Sequence, residues 1–139
     1  MPAPLATGQP GSFTYAPLVN AFATGAGLKN YYEPAATAAI ASGVLAVDLT
    51  NGNHFTVPLN AAITTFTIAN VALTGNACAV TFIFTTDGTT RAITWPTGTV
   101  WSGGTGPTMT ATLNKRDIIM LYTVNGGTTW FGFISGQNF

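Results

Sequence analysis

From Gly43 to the end of the chain, apolar residues return at every second position, and clusters of turn residues break the pattern before it can lengthen. A period of two puts one residue set on each face of an extended strand, whereas a helix needs a return every three or four residues. Leu45, Val47 and Leu49 alternate with Ala46, Asp48 and Thr50. Asn51-Gly52-Asn53 then turns the chain, and Phe55, Val57 and Leu59 alternate on the way back, which reads as a hairpin. Pro58 marks an edge or the end of pairing. Phe66 and Ile68 mark a third strand; Cys78, Val80, Phe82 and Phe84 share one face of a fourth, with Thr81 and Thr85 opposite. Asp87-Gly88-Thr89-Thr90 turns into a strand begun by Ile93 and Trp95, and the Gly- and Pro-rich residues 96–107 read as a loop. Met109 to Leu113 is a short strand on this reading. Ile118, Met120, Tyr122 and Val124 alternate with Asp117, Ile119, Leu121 and Thr123 in the longest strand, apolar on both faces and therefore central. Asn125-Gly126-Gly127 leads into a last strand, Thr129 to Ser135.

Seven to eight short strands with turn signals about every 8–12 residues predict an all-β fold, an antiparallel β-sandwich of jelly-roll-like form. Glu33 to Ser42 is ambiguous, since Pro34, an alanine-rich run and Gly43 would suit a short helix. An extended lead-in is favoured because all that follows is strand. At 139 residues the chain is one domain. The sandwich occupies residues 31–139, and residues 1–30 form an extended N-terminal arm. That arm holds Pro2, Pro4, Pro10 and Pro17 with Gly8, Gly11, Gly25 and Gly27, which disfavour ladders and ordered backbone. Yet Phe13, Tyr15, Leu18 and Phe22 are more apolar than a solvated tail requires, and they are the candidate partner-binding residues.

Charge narrows function. Only 6% of residues are Asp, Glu, Lys or Arg, four of each sign, against about 25% in ordinary soluble domains. There is no basic patch for a phosphate backbone, so no nucleic acid is expected as a partner. Charged edges keep most β-proteins monomeric, and their scarcity predicts a surface covered by copies of this chain or by another protein. No run of about 18 apolar residues would cross a membrane as a helix. The start, Met1-Pro2-Ala3-Pro4, resembles no secretory leader, and a small outer-membrane barrel would need such a leader and aromatic girdles. No membrane partner is expected.

The inventory for catalysis is nearly empty. His54 is the one histidine, Cys78 the one cysteine, and no Gly-x-Ser-x-Gly elbow occurs. Asp48 and His54 flank one turn and could meet as a surface contact across it. Glu33, Asp48, Asp87 and Asp117 are the only carboxylates, three of them at turns or strand ends where Asp bonds its own backbone. No catalytic residue, metal ligand set or cofactor is assigned, and the chain is read as a non-enzyme. Trp95, Trp101 and Trp130, with Tyr122 and Phe131, could stack on a sugar; aromatics of small β-domains more often fill the core, which is the favoured reading.

From Lys29 onward the chain resembles a domain found in tailed-bacteriophage virion and tail structural proteins. The resemblance rests on Lys29-Asn30-Tyr31-Tyr32-Glu33, Val47-Asp48-Leu49-Thr50-Asn51-Gly52-Asn53, Ile93-Thr94-Trp95-Pro96 and Trp101-Ser102-Gly103-Gly104-Thr105-Gly106-Pro107. It continues through Asp117-Ile118, Leu121-Tyr122-Thr123 and Asn125-Gly126-Gly127-Thr128-Thr129-Trp130-Phe131-Gly132-Phe133. It implies a structural role in the virion, assembly as oligomers, frequently homotrimers, and no catalytic residues. The stand-alone length favours a capsid-decorating or cement protein whose arm reaches the major capsid protein or another virion protein. The alternative is a tail fibre or baseplate module binding a host glycan through Trp101 and Trp130.

Overall fold

The alternating segments form strands in a computed structural model of the protein, which describes residues 32–139. The arm, with Phe13, Tyr15, Leu18 and Phe22, lies outside the described residues. Nine strands follow in order: β1 (Ala35–Thr37), β2 (Ile40–Ala41), β3 (Val44–Asp48), β4 (His54–Leu59), β5 (Thr65–Ala69), β6 (Cys78–Asp87), β7 (Thr99–Trp101), β8 (Leu113–Thr123) and β9 (Trp130–Gly136). They build a six-stranded sheet, β1-β4-β6-β8-β9-β7, and a three-stranded sheet, β2-β3-β5. The fold is an all-β sandwich, as the periodicity predicts.

Its core is the space between the sheets. Leu45 and Val47 of β3 and Phe66 of β5 meet Phe55, Val57, Val80, Phe82, Phe84, Ile119 and Leu121 of the larger sheet. Phe66 stands edge-on to Phe82 at 5.0 Å between ring centroids, bridging the layers. Phe82 also stacks with Phe55 and with Phe84, both at 5.9 Å. Each large side chain so buried contributes roughly 1.5–3 kcal/mol against the entropy of ordering the strands.

The pairing differs from a sandwich of hairpins. Four of the seven strand pairings are parallel: β1–β4, β3–β5, β4–β6 and β7–β9. The expected β3–β4 hairpin is absent, because the chain leaves one sheet and enters the other between them. Asp48 caps a single 3-10 turn, Leu49–Asn51, and Gly52 follows at φ +131°, with its Cα hydrogen side pressed against the Pro34 carbonyl. Any side chain there would overlap that carbonyl, so the Asn-Gly signal marks a crossover here and not a hairpin. Pro58 sits beyond the end of pairing with β1, while pairing with β6 runs on through Leu59. Thr56 turns its backbone toward β1, accepting from Ala38 N at 3.0 Å, and two residues later Pro58 faces the same side, beyond the end of β1.

Three further expectations change. Ile93 makes one isolated bridge with Ile63, and Trp95 is in no strand. A three-residue strand, β7, lies inside the predicted loop and pairs with β9. Met109 to Thr112 is not a strand: Thr110 N donates to the Asp117 carboxylate, and the Thr112 carbonyl accepts from Thr86 Oγ1. Side chains there take the backbone groups that a ladder would have used. β8, by contrast, is the longest strand and lies between β6 and β9, as predicted. The extended reading of Glu33 to Ser42 also holds, with β1 and β2 in that span.

Candidate interaction surface

Among the described residues the four carboxylates fall into four hydrogen-bond sets that share no partner. Glu33 Oε2 lies 2.6 Å from His54 Nε2, both side chains about two-fifths exposed. His54 therefore meets Glu33 and not Asp48, since the hairpin that would have joined the latter pair does not form. Asp48 Oδ1 accepts from Thr50 N, Thr50 Oγ1 and Asn70 Nδ2 at 2.7–2.9 Å. The Thr50 amide, the Asn70 amide and the Thr50 hydroxyl hold its carboxyl below the usual range. Asp87 is held low chiefly by the Arg91 guanidinium, 2.6 Å away across the turn.

Asp117 is the buried one, fully inaccessible at the start of the central part of β8. Burial pushes its carboxyl up, but the amides of Thr110 and Asn138, the Thr110 hydroxyl and the Gln137 amide together outweigh that and hold it low. These bonds span 2.7–3.2 Å. They tie the 109–110 segment and the last residues of the chain to β8, so Asp117 reads as a structural node. Among the described residues no three His, Cys, Asp or Glu side chains gather to hold a metal.

The tryptophans do not make a platform. Trp130 is 2% exposed and belongs to the core. Trp95 and Trp101 are half-buried, edge-to-face at 4.9 Å, and Trp95 packs on Phe66 and Phe84. Trp101 lies flat over Gly132, where an added Cβ would stand within 2.7 Å of three ring atoms. The alternative in which Trp101 and Trp130 stand as exposed sugar-stacking rings is thus not formed. Tyr122, expected in the core, points the other way.

That other direction is the outer face of the larger sheet. The strand register aligns Ala79, Tyr122, Phe131 and Val100 in one row across β6, β8, β9 and β7. Thr81, Met120 and Phe133 make the next row, and Ile83 and Ile118 the one after. Gly136, opposite Ile118, leaves its Cβ position to the ring of Phe139, which extends the same face. Val100, Phe131 and Phe133 are 43–48% exposed and Phe139 62%. A sheet with one face on a core ordinarily presents polar residues on the other. Here the outer face over β7, β9 and residues 118–122 of β8 is apolar and uncharged, and it ends at Arg116, the next outward residue of β8.

The sequence carried the signal for this surface in the double-sided apolarity of Ile118 to Val124, but it pointed to burial on both sides. Within the described residues only one side is covered. No protein-family profile, curated protein or solved structure matches this chain.

Proposed function

We propose that this protein is a non-enzymatic structural component of a tailed-phage virion, decorating or cementing the capsid as an oligomer of sandwich heads. The observation that carries the reading is the apolar outer face over β8, β9 and β7 on a chain with only 6% charged residues. Such a surface is suited to permanent contact with protein, as in obligate assemblies whose interfaces resemble a divided core. The four carboxylates, each engaged in its own hydrogen-bond set, fit a scaffold better than a reaction centre. In this reading Phe13, Tyr15, Leu18 and Phe22 bury themselves on a neighbouring virion subunit, the major capsid protein or another, and the heads associate with one another, as trimers. Localisation is the virion, assembled in the bacterial cytoplasm.

The test is the number of copies of this chain per purified particle, measured by mass spectrometry against isotope-labelled peptides. Hundreds of copies fit capsid decoration. A handful would move the protein to the tail, and none would refute a virion role.

A further inference from the structure

We infer that the apolar outer face of the six-stranded sheet is the contact between copies of this chain, so that one head covers this face of the next. The inference rests on the oligomeric reading above and assigns it a surface.

The geometry sets the size of the contact. From β8 to β7 there are two interstrand steps of about 4.8 Å, and the aligned rows span four residues at about 3.4 Å each. With a side chain's width added, the patch covers about 270 Å². A stable interface takes about 800 Å² from each partner, with an apolar centre and a polar rim. The patch supplies the apolar centre, about a third of that area, and Thr81 and Thr85, with His54 and Thr56 beyond them on β4, supply a polar border.

The chemistry selects the occupant. A partner recognised by charge would need charges to read, and the patch has none. What it fits is an equally flat, uncharged, apolar surface, which a second copy of this chain supplies. Symmetric association requires only that a patch complement itself or its neighbour, which a face built of Met120, Tyr122, Phe131 and Phe133 can do without a matched ion pair. Left open, the same half-exposed aromatics would make the head prone to non-specific association.

The experiment uses the full chain. Light scattering coupled to size exclusion is run from about 1 to about 100 μM on the wild type, on Phe131→Lys/Phe133→Lys, and on Val44→Lys. Val44, on the smaller sheet and 38% exposed, is the control. The wild type and Val44→Lys should run at a multiple of 14.3 kDa, and the double variant at 14.3 kDa with an unchanged far-UV spectrum. Because two lysines on one face could disturb folding, Phe133→Thr alone should raise the dissociation midpoint by about tenfold or more. A multimeric wild type whose double variant stays multimeric would overturn this assignment while leaving self-association standing. A wild type at 14.3 kDa throughout would remove both. If its outer face then proved protected in hydroxyl-radical footprinting, residues 1–31 of the same chain would be the cover.

Discussion

Asp117 is where a single atom change should cost most. Its carboxylate has no ion-pair partner among the described residues and is fully buried, so its charge is supported by hydrogen bonds alone. Oδ2 accepts from Thr110 N at 2.7 Å and Gln137 Nε2 at 3.2 Å; Oδ1 accepts from Thr110 Oγ1 at 2.7 Å and Asn138 N at 2.9 Å. Asp117→Asn keeps the shape and replaces one acceptor with a donor. The better orientation points the new NH2 at the Thr110 hydroxyl, which can rotate to accept, but the Asn138 amide is then orphaned. Losing one bond to a charged group is worth about 1.5–3 kcal/mol, and leaving a poorly solvated N–H costs on a similar scale. Partial rescue of Asn138 by water brings the expected loss to about 3 kcal/mol. Asp117→Ala, which removes all four bonds, should lose about 3–5 kcal/mol.

The measurement is thermal and guanidinium unfolding followed by tryptophan fluorescence, at one protein concentration because association shifts apparent stability. For a domain of this size about 3 kcal/mol corresponds to a fall in Tm of about 12 °C or more. An Asn variant within about 0.5 kcal/mol of wild type would show that the ionised carboxylate is not the node that ties the 109–110 segment and the chain's end to β8.

Two further outcomes test the packing and the charges. Gly132→Ala places a methyl in the Trp101 ring, which must leave its seat; stability should fall by about 1–3 kcal/mol, with a red-shifted tryptophan emission. Unchanged emission would show that Trp101 does not rest on β9. Asp48, Asp87 and Asp117 all have folded pKa values below the ordinary one, which is about 3.9 when unfolded. Below that value the unfolded chain takes up protons first, so stability should be level above about pH 5 and decline as pH falls through the lowered folded values. Denaturant midpoints that stay level down to about pH 2 would contradict the hydrogen-bond sets described for these three groups.

What could be read from sequence was whatever depends on the face a side chain occupies. Val80, Phe82 and Phe84 are core and Thr81 is not, because a strand of any partner obeys the same alternation. Which strand pairs with which was not legible. Asn51-Gly52-Asn53 signals a reversal equally well whether the chain returns beside itself or steps to another sheet, and the choice is made by Pro34, whose carbonyl closes on Gly52 from 18 residues earlier in the chain. β7 was hidden because three residues, Thr99–Trp101, are too few to show a period amid glycines and prolines. Met109, Ala111 and Leu113 alternate as a strand would, yet Asp117 and Thr86 claim the backbone between them. The candidate surface was half legible: two apolar faces on Ile118 to Val124 are visible in the sequence, but which molecule covers the second face is not a property of one chain.

The outer face is uneven in a way that bears on assembly. Toward β4 it carries His54, Thr56, Thr81 and Thr85, and toward β7 it carries Met120, Tyr122, Phe131, Phe133 and Val100. The apolar half therefore sits at the β7 edge of the sheet. β1, the first strand after residues 1–31, is the opposite edge, five interstrand steps or about 24 Å away. A neighbour seated on the apolar half would leave the β1 edge open, and with it the point where the chain enters the sandwich at Tyr32. On the proposed reading, contact between heads would leave the β1 edge, where the described residues begin, uncovered. Two weak contacts on one particle multiply, since the second forms at the effective concentration set by the first. On the proposed reading, a protein with almost no charge to guide it would gain stable attachment from two such contacts where neither alone would suffice.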